Sequence, residues 1–266
     1  MSDAPAQDQS EGPAPVIFLD TNAVHYATLA LSFASTHGFD LIGGDADTLR
    51  CAIRAEGLGA EDSYVNGAWI VRYLSRRCAD SAEFFYSPVT GLELLCGGLK
   101  GEAVRRAAKT AVPYRWYTHV GAEAVREYLE PDGYEVIQSQ GANVVNMFDS
   151  LDITLNEQEM NGDVWRLARG LMENLFIDVQ DCLVYASALV ARADELLTAD
   201  GSFRKFADHT SNPRGAPPAF GARFRTVRNA LINSCAQVFG LLPEQVLIPK
   251  GIWIPQIRQS IGGGQE

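Results

Sequence analysis

The stretch that decides the fold is Val16-Ile17-Phe18-Leu19-Asp20-Thr21-Asn22, in which an apolar run leads directly into an acid. A short, uninterrupted apolar run is typical of a strand that is buried on both faces of a parallel sheet. In open sheets of this kind, ligands bind beyond the carboxyl ends of the strands. The sequence therefore places Asp20 at a candidate binding edge.

A second stretch repeats this arrangement later in the chain. Glu195-Leu196-Leu197-Thr198-Ala199 predicts a short strand, and Asp200 follows it. Ahead of it, Asp178 begins a run that is rich in alanine and apolar on almost all sides, which predicts a buried helix. Because such strands alternate with helices, we expect an α/β fold with a central, mainly parallel sheet.

Most of the remaining pattern is helical. Ser87-Pro88 is typical of a helix N-cap followed by the proline favoured in the first turn, and it predicts a helix that carries Glu93 in its second turn. An apolar stretch near 245–254 predicts a last strand. Apolar residues at helical spacing predict further helices at 23–36, 46–56, 63–78, 163–174 and 222–239.

The composition divides the chain into a main domain with two flanking parts. Residues 1–15 contain three acids, three prolines and no Lys or Arg, which predicts a disordered tail and not a signal peptide. Residues 16–210 are expected to form the domain, with a helical insertion at about 37–82. A stretch rich in proline and glycine then introduces the segment 211–266, which either completes the domain or packs on it as an extension.

The overall charge and the cysteine pattern exclude several classes of protein. The chain has 33 acidic against 22 basic residues, a net charge of -11, so any affinity for a polyanion must be local. No stretch suits a membrane span. The five cysteines are odd in number and form no CxxC pair, which predicts neither a disulfide framework nor a zinc site. We expect a soluble protein in a reducing cytoplasm.

Five carboxylates are candidates for one site. Asp20 and Asp200 follow strands, Glu93 lies on a helix, and Asp178 and Asp181 share one face at the start of another helix. Converging carboxylates repel one another unless a cation neutralises them, and ligands that are all oxygen favour Mg²⁺ or Mn²⁺ over zinc. A metal held in this way can activate a water for attack on a phosphate. Each acid also has a structural interpretation as a turn residue or helix cap, and for Asp178 the cap is the favoured one.

In their order along the chain, three segments resemble the PIN-domain nuclease family, which includes the toxins of many bacterial and archaeal toxin–antitoxin modules. The match covers about 16–36 and 84–206. The longer stretch between Asp20 and Glu93 and everything after about Phe206 depart from compact members of the family. The three segments run from Val16 to Asn22, from Ser87 to Leu94 and from Asp181 to Phe203.

The resemblance implies an α/β/α sandwich that binds one or two Mg²⁺ or Mn²⁺ ions and hydrolyses RNA to 5′-phosphate and 3′-hydroxyl products. A toxin role would require an antitoxin or another protein partner that blocks the site, and a homo-oligomer is a further expectation. The matched acids are Asp20, Glu93, Asp181 and Asp200, with Asp178 as an additional candidate ligand and Thr21, Asn22 and Thr198 as supporting polar groups.

Two basic segments interrupt the acidic chain and are candidate phosphate contacts, together with Asn22. One segment follows Glu93 and includes Arg105 and Arg106, and the other follows Asp200 and includes Arg204 and Lys205. An ordinary solvated face is the alternative interpretation for both segments.

Three other functions stay open on the sequence. The chain could be a noncatalytic PIN-fold module that binds RNA or a protein, or a nuclease that acts on DNA. It could also be a phosphotransferase of the haloacid dehalogenase type, with Asp20 as the nucleophile. That family requires a second acid two residues after the first, and Asn22 at this position disfavours it.

Overall fold

The computed structural model describes residues 13–97, 146–175, 178–199 and 218–262. Of the tail expected at 1–15, only residues 13–15 are included, and the carbonyl of Pro15 accepts a hydrogen bond from the amide of Glu83 at 2.9 Å. Across the described residues, no helix is both long and apolar enough to cross a membrane.

The core of the fold is a sheet of five parallel strands. They are β1 (Val16–Leu19), β2 (Glu83–Tyr86), β3 (Leu155–Glu157), β4 (Glu195–Leu197) and β5 (Lys250–Ile252). Their order in the sheet is β3-β2-β1-β4-β5, and every neighbouring pair is parallel. The predicted α/β fold with a mainly parallel sheet is confirmed.

The helices follow the predicted pattern closely, and α7 begins four residues before the expected start at 222. A helical turn at 146–149 and a 3₁₀ turn at Pro243–Gln245 accompany them. The helices are α1 (Thr21–His37), α2 (Ala46–Ala55), α3 (Glu61–Ala79), α4 (88–97), α5 (Gly162–Leu175), α6 (Val179–Val190), α7 (Pro218–Phe239) and α8 (Ile254–Gly262).

The central strand β1 is apolar without interruption because it is covered on both faces. Successive side chains of a strand point to opposite faces of the sheet. Ile17 and Leu19 enter one hydrophobic cluster with α1, α3 and α8, whereas Phe18 enters a second cluster with α5, α6 and α7. All three side chains are fully buried. Asp20 is the first polar residue after this strand.

The strand expected near 245–254 is much shorter than predicted, and three prolines explain the difference. Pro243 opens the 3₁₀ turn, Pro249 directly precedes β5, and Pro255 lies in the first turn of α8. Proline has no N–H to donate to a strand ladder, which limits the strand to the residues between the second and third prolines. Even so, β5 pairs with β4. The segment after residue 211 thereby completes the sheet.

Helices α1 and α3 approach each other closely at Gly67. Ala23, Ala27 and Ala30 are buried on α1 and leave room for this approach. A Cβ atom at residue 67 would lie 1.9 Å from the carbonyl oxygen of Tyr26, which is shorter than any real contact. The longest helix of the 37–82 segment therefore packs directly on the helix that begins at the candidate binding edge.

We predict that Gly67→Ala lowers the free energy of unfolding by about 1–3 kcal/mol, because α1 and α3 must separate to admit the methyl group. Gly91→Ala is the matched control, since a Cβ at this helical position meets no atom within 4 Å. There alanine should be neutral or stabilise by up to about 1 kcal/mol. Urea unfolding measures both variants, and equal stability of Gly67→Ala and wild type would contradict the close approach.

Candidate metal centre

A pocket of about 350 Å³ opens at the carboxyl edge of the sheet. Its walls come from the first residues of α1 after β1, from α4 and from the start of α6, three segments that are distant in sequence. The residues that line it are Asp20, Thr21, Asn22, Glu93, Asp178, Gln180, Asp181 and Val184. Four of the five predicted acids thus meet at one pocket.

Five predicted site residues lie outside the described part of the chain. Asp200, the fifth candidate acid, lies outside the described residues. The four basic candidate phosphate contacts, Arg105, Arg106, Arg204 and Lys205, lie outside them as well.

Asp20 is fixed at the point where β1 becomes α1. Its backbone amide donates to the carbonyl of Leu197 at 3.0 Å, which continues the pairing of β1 with β4. Its side chain caps α1 by accepting a hydrogen bond from the amide of Ala23 at 2.6 Å and also accepts one from the hydroxyl of Thr198. Asp20 is 1% exposed. The structural role of a cap and a place in the pocket are combined in this one carboxylate.

Glu93 reaches the pocket from α4. The helix starts as the sequence predicts, because the hydroxyl of Ser87 accepts a hydrogen bond from the amide of Val89 at 3.2 Å. Glu93 then follows in the second turn and is half-buried. Its carboxylate accepts a hydrogen bond from the hydroxyl of Thr21, the residue that follows Asp20. The side chains of α1 and α4 are thereby joined at the wall of the pocket.

Asp178 and Asp181 enter the pocket from the start of α6. Asp178 is the N-cap, as predicted, and its side chain accepts a hydrogen bond from the amide of Gln180 at 3.0 Å. Asp181 lies in the first turn and is half-buried. The partial positive charge at the start of a helix favours both acids. Asp178 therefore lines the pocket and caps the helix at the same time.

The thiol of Cys182 reports the electrostatic character of this region. Burial, together with the negative charges of Asp181 and Asp178, raises the pKa of Cys182 to about 11. A raised pKa favours the protonated form of the thiol. The field beside the pocket disfavours additional negative charge, as expected where several carboxylates gather.

The donor set of the pocket fits a hard divalent cation. Its polar lining side chains are carboxylates, a hydroxyl and amides, which offer oxygen ligands of the kind that Mg²⁺ and Mn²⁺ prefer. No Lys, Arg or His belongs to the described lining. Within the described ranges, no three Asp, Glu, His or Cys side chains already form a metal-binding group.

Comparison of the chain with protein-family models, with curated proteins and with solved structures found no match.

The polar groups around the acids are partly those that the sequence indicates. Thr21 and Asn22 line the pocket, and Thr198 holds Asp20. The amide side chain of Gln180 and the buried hydroxyl of Thr90, whose oxygen lies 3.2 Å from that of Thr21, were not predicted. The signal for Thr90 is its spacing, because it lies three residues before Glu93 on the same helix face.

We predict that Thr198→Val lowers the free energy of unfolding by about 1.5–3 kcal/mol, the usual value of a hydrogen bond to a charged group. Thr198 is fully buried, so water cannot replace the lost hydroxyl. Thr198→Ser keeps the donor and should retain most of the stability. Urea unfolding distinguishes the two variants, and an equal loss in both would show that packing, not the bond to Asp20, stabilises this position.

Proposed function

We propose that this chain is a Mg²⁺- or Mn²⁺-dependent endoribonuclease of the PIN-domain type. The observation that carries the proposal is the meeting of Asp20, Glu93 and Asp181 in one pocket. Each of these acids lies in a different one of the three segments by which the sequence resembles the PIN family. The position of the pocket at the carboxyl edge of a parallel sheet supports the same assignment.

The acids of the pocket provide the ligands that the proposed reaction needs. A bound divalent ion supplies activation of a water and stabilisation of the leaving oxygen. Asp20, Glu93 and Asp181 would hold this ion, and Asp178 is an additional ligand in the proposal. Asp20 is held in place by Ala23 and by Thr198, so little further ordering of its side chain is needed.

The charge of the pocket makes a cation necessary for phosphate binding. Four carboxylates line the pocket, and no basic side chain is among its described lining residues. A phosphodiester brings a further negative charge, which these carboxylates repel unless a cation lies between them. On the wall of the pocket, the amide of Asn22 can donate a hydrogen bond to a phosphate oxygen. The proposed nuclease is therefore strictly dependent on metal.

The compartment we propose follows from the cysteines. The five cysteines form no disulfide within the described residues, and Cys182 and Cys235 are buried. Burial raises the pKa of Cys235 to about 12, so this thiol is inert. Buried cysteines that form no disulfide are typical of proteins of the reducing cytoplasm.

We predict that the purified chain cleaves labelled single-stranded RNA in Mn²⁺ or Mg²⁺ but not in EDTA. Asp181→Asn should lower the rate by about 100-fold or more, because even the indirect partners of a metal cost 10–100-fold. Asp47→Asn is the matched control, since it removes an acid from the first turn of α2, which is also capped by an aspartate. This control should cleave as wild type does.

The remaining outcomes separate the alternative functions. Metal-dependent cleavage of DNA alone would identify a deoxyribonuclease that uses the same pocket. No cleavage of either nucleic acid by a folded wild-type chain that binds Mn²⁺ would favour the noncatalytic binding module. Full activity of Asp181→Asn would overturn the assignment of the pocket.

A further inference from the structure

The carboxylate of Glu93 is linked to the protein interior through two hydroxyl groups. Thr21 donates to the carboxylate, and the hydroxyl oxygen of Thr90 lies 3.2 Å from the hydroxyl oxygen of Thr21. Thr90 is fully buried, Thr21 lines the pocket, and Glu93 is half-buried at the same pocket. The three groups form a continuous hydrogen-bonded chain from the core to the site.

The direction of these hydrogen bonds follows from the number of protons that each group can donate. A hydroxyl has one proton, and an ionised carboxylate can only accept. Because Thr21 gives its proton to Glu93, its oxygen must accept the second bond, so Thr90 is the donor to Thr21. The hydrogen bonds therefore run in one direction, from Thr90 to Thr21 and from Thr21 to Glu93. We call this set of three residues the relay.

The backbone of α4 connects the first and the last residue of the relay. Thr90 and Glu93 are three residues apart on α4 and share one face of that helix. Thr21 is the first residue of α1 and directly follows Asp20, whose carboxylate caps the same helix. Thr90 and Glu93, about one helical turn apart on α4, are thus both linked to Thr21. Thr21 is the neighbour of Asp20, which is the most buried acid of the pocket.

We propose that Thr90 is a positioning residue, which orients Glu93 toward a bound divalent cation by holding the hydroxyl of Thr21. This inference rests on the proposed function, in which Glu93 is a ligand of that cation. Thr90 does not itself touch the cation or the substrate.

The hydrogen bonds of the relay hold the side chain of Glu93 against two effects that would otherwise displace it. A glutamate side chain has several rotatable bonds, and ordering it costs conformational entropy. Repulsion by the other carboxylates of the pocket would also drive a freely rotating Glu93 toward solvent. Asp20 and Asp178 are held by amides of their own helices, but Glu93 lies beyond the first turn of α4 and depends on side-chain donors.

The test is the affinity of the full chain for Mn²⁺ alone, measured by isothermal titration calorimetry. Thr90→Val and Thr21→Val remove a hydroxyl with little change of shape and should weaken Mn²⁺ binding by about 10-fold. Thr90→Ser and Thr21→Ser keep the hydroxyl and should restore binding close to that of wild type. A merely structural role of the two threonines would not give this pattern of loss and rescue.

A double variant identifies the path of the effect. Thr90→Val should cause no further loss of Mn²⁺ affinity when Glu93 is already replaced by Gln, because both changes act on the same ligand. Thr28→Val is the control for loss of a hydroxyl elsewhere on α1, since Thr28 donates only to the carbonyl of Val24, at 2.8 Å. Its Mn²⁺ affinity should equal that of wild type.

Failure of the relay and failure of the proposed function give different results. If wild type binds Mn²⁺ and Glu93→Gln weakens binding, but both valine variants bind as wild type does, the relay is wrong and the metal site stands. If wild type neither binds Mn²⁺ nor cleaves RNA, the proposed function is wrong and the relay falls with it. Should Thr90→Val fail to fold, the half-buried Thr21→Val and its serine counterpart decide the question.

Discussion

The buried carboxylate of Asp20 is the interaction on which the rest of the site depends. A charge removed from water costs several kcal/mol unless hydrogen bonds replace its hydration. Here the amide of Ala23 and the hydroxyl of Thr198 donate the hydrogen bonds that replace hydration of the carboxylate. The carboxylate therefore connects the end of β1 to α1 and to the segment after β4. The same contacts hold the acid at the wall of the pocket. Stability and proposed chemistry therefore share one side chain.

Repulsion among the carboxylates that line the pocket is offset by hydrogen bonds from neighbouring groups of the protein. Acids of the pocket accept hydrogen bonds from donors of the protein. Asp20 faces Thr198, Glu93 faces Thr21, and Asp178 faces the amide of Gln180. These donors stabilise the negative charges individually. In the proposed function, a divalent cation provides the common partner that draws them together.

The sequence predicts those helices and strands whose own residues show the pattern of their burial. The run 16–19 is apolar throughout because both faces of β1 are covered, and α6 is predicted because it is buried on nearly every side. By contrast, β3 has one buried residue, Leu155, and exists because it pairs with Phe84 of β2. The three-residue strand offers no periodic signal. Likewise, the sequence identifies each candidate acid individually. The contact of Thr90 with Thr21 could not be predicted in this way, because it arises only when α4 packs beside α1.

The central claim is that Asp20, Glu93 and Asp181 form a site for a divalent cation. The most direct measurement is a crystal structure of the chain grown with Mn²⁺, in which anomalous scattering locates the ion. The account predicts an anomalous peak in the pocket, within about 2.0–2.6 Å of carboxylate oxygens of these three residues, as is usual for hard cations. Mn²⁺ bound elsewhere, with this pocket empty at saturating concentration, would contradict it.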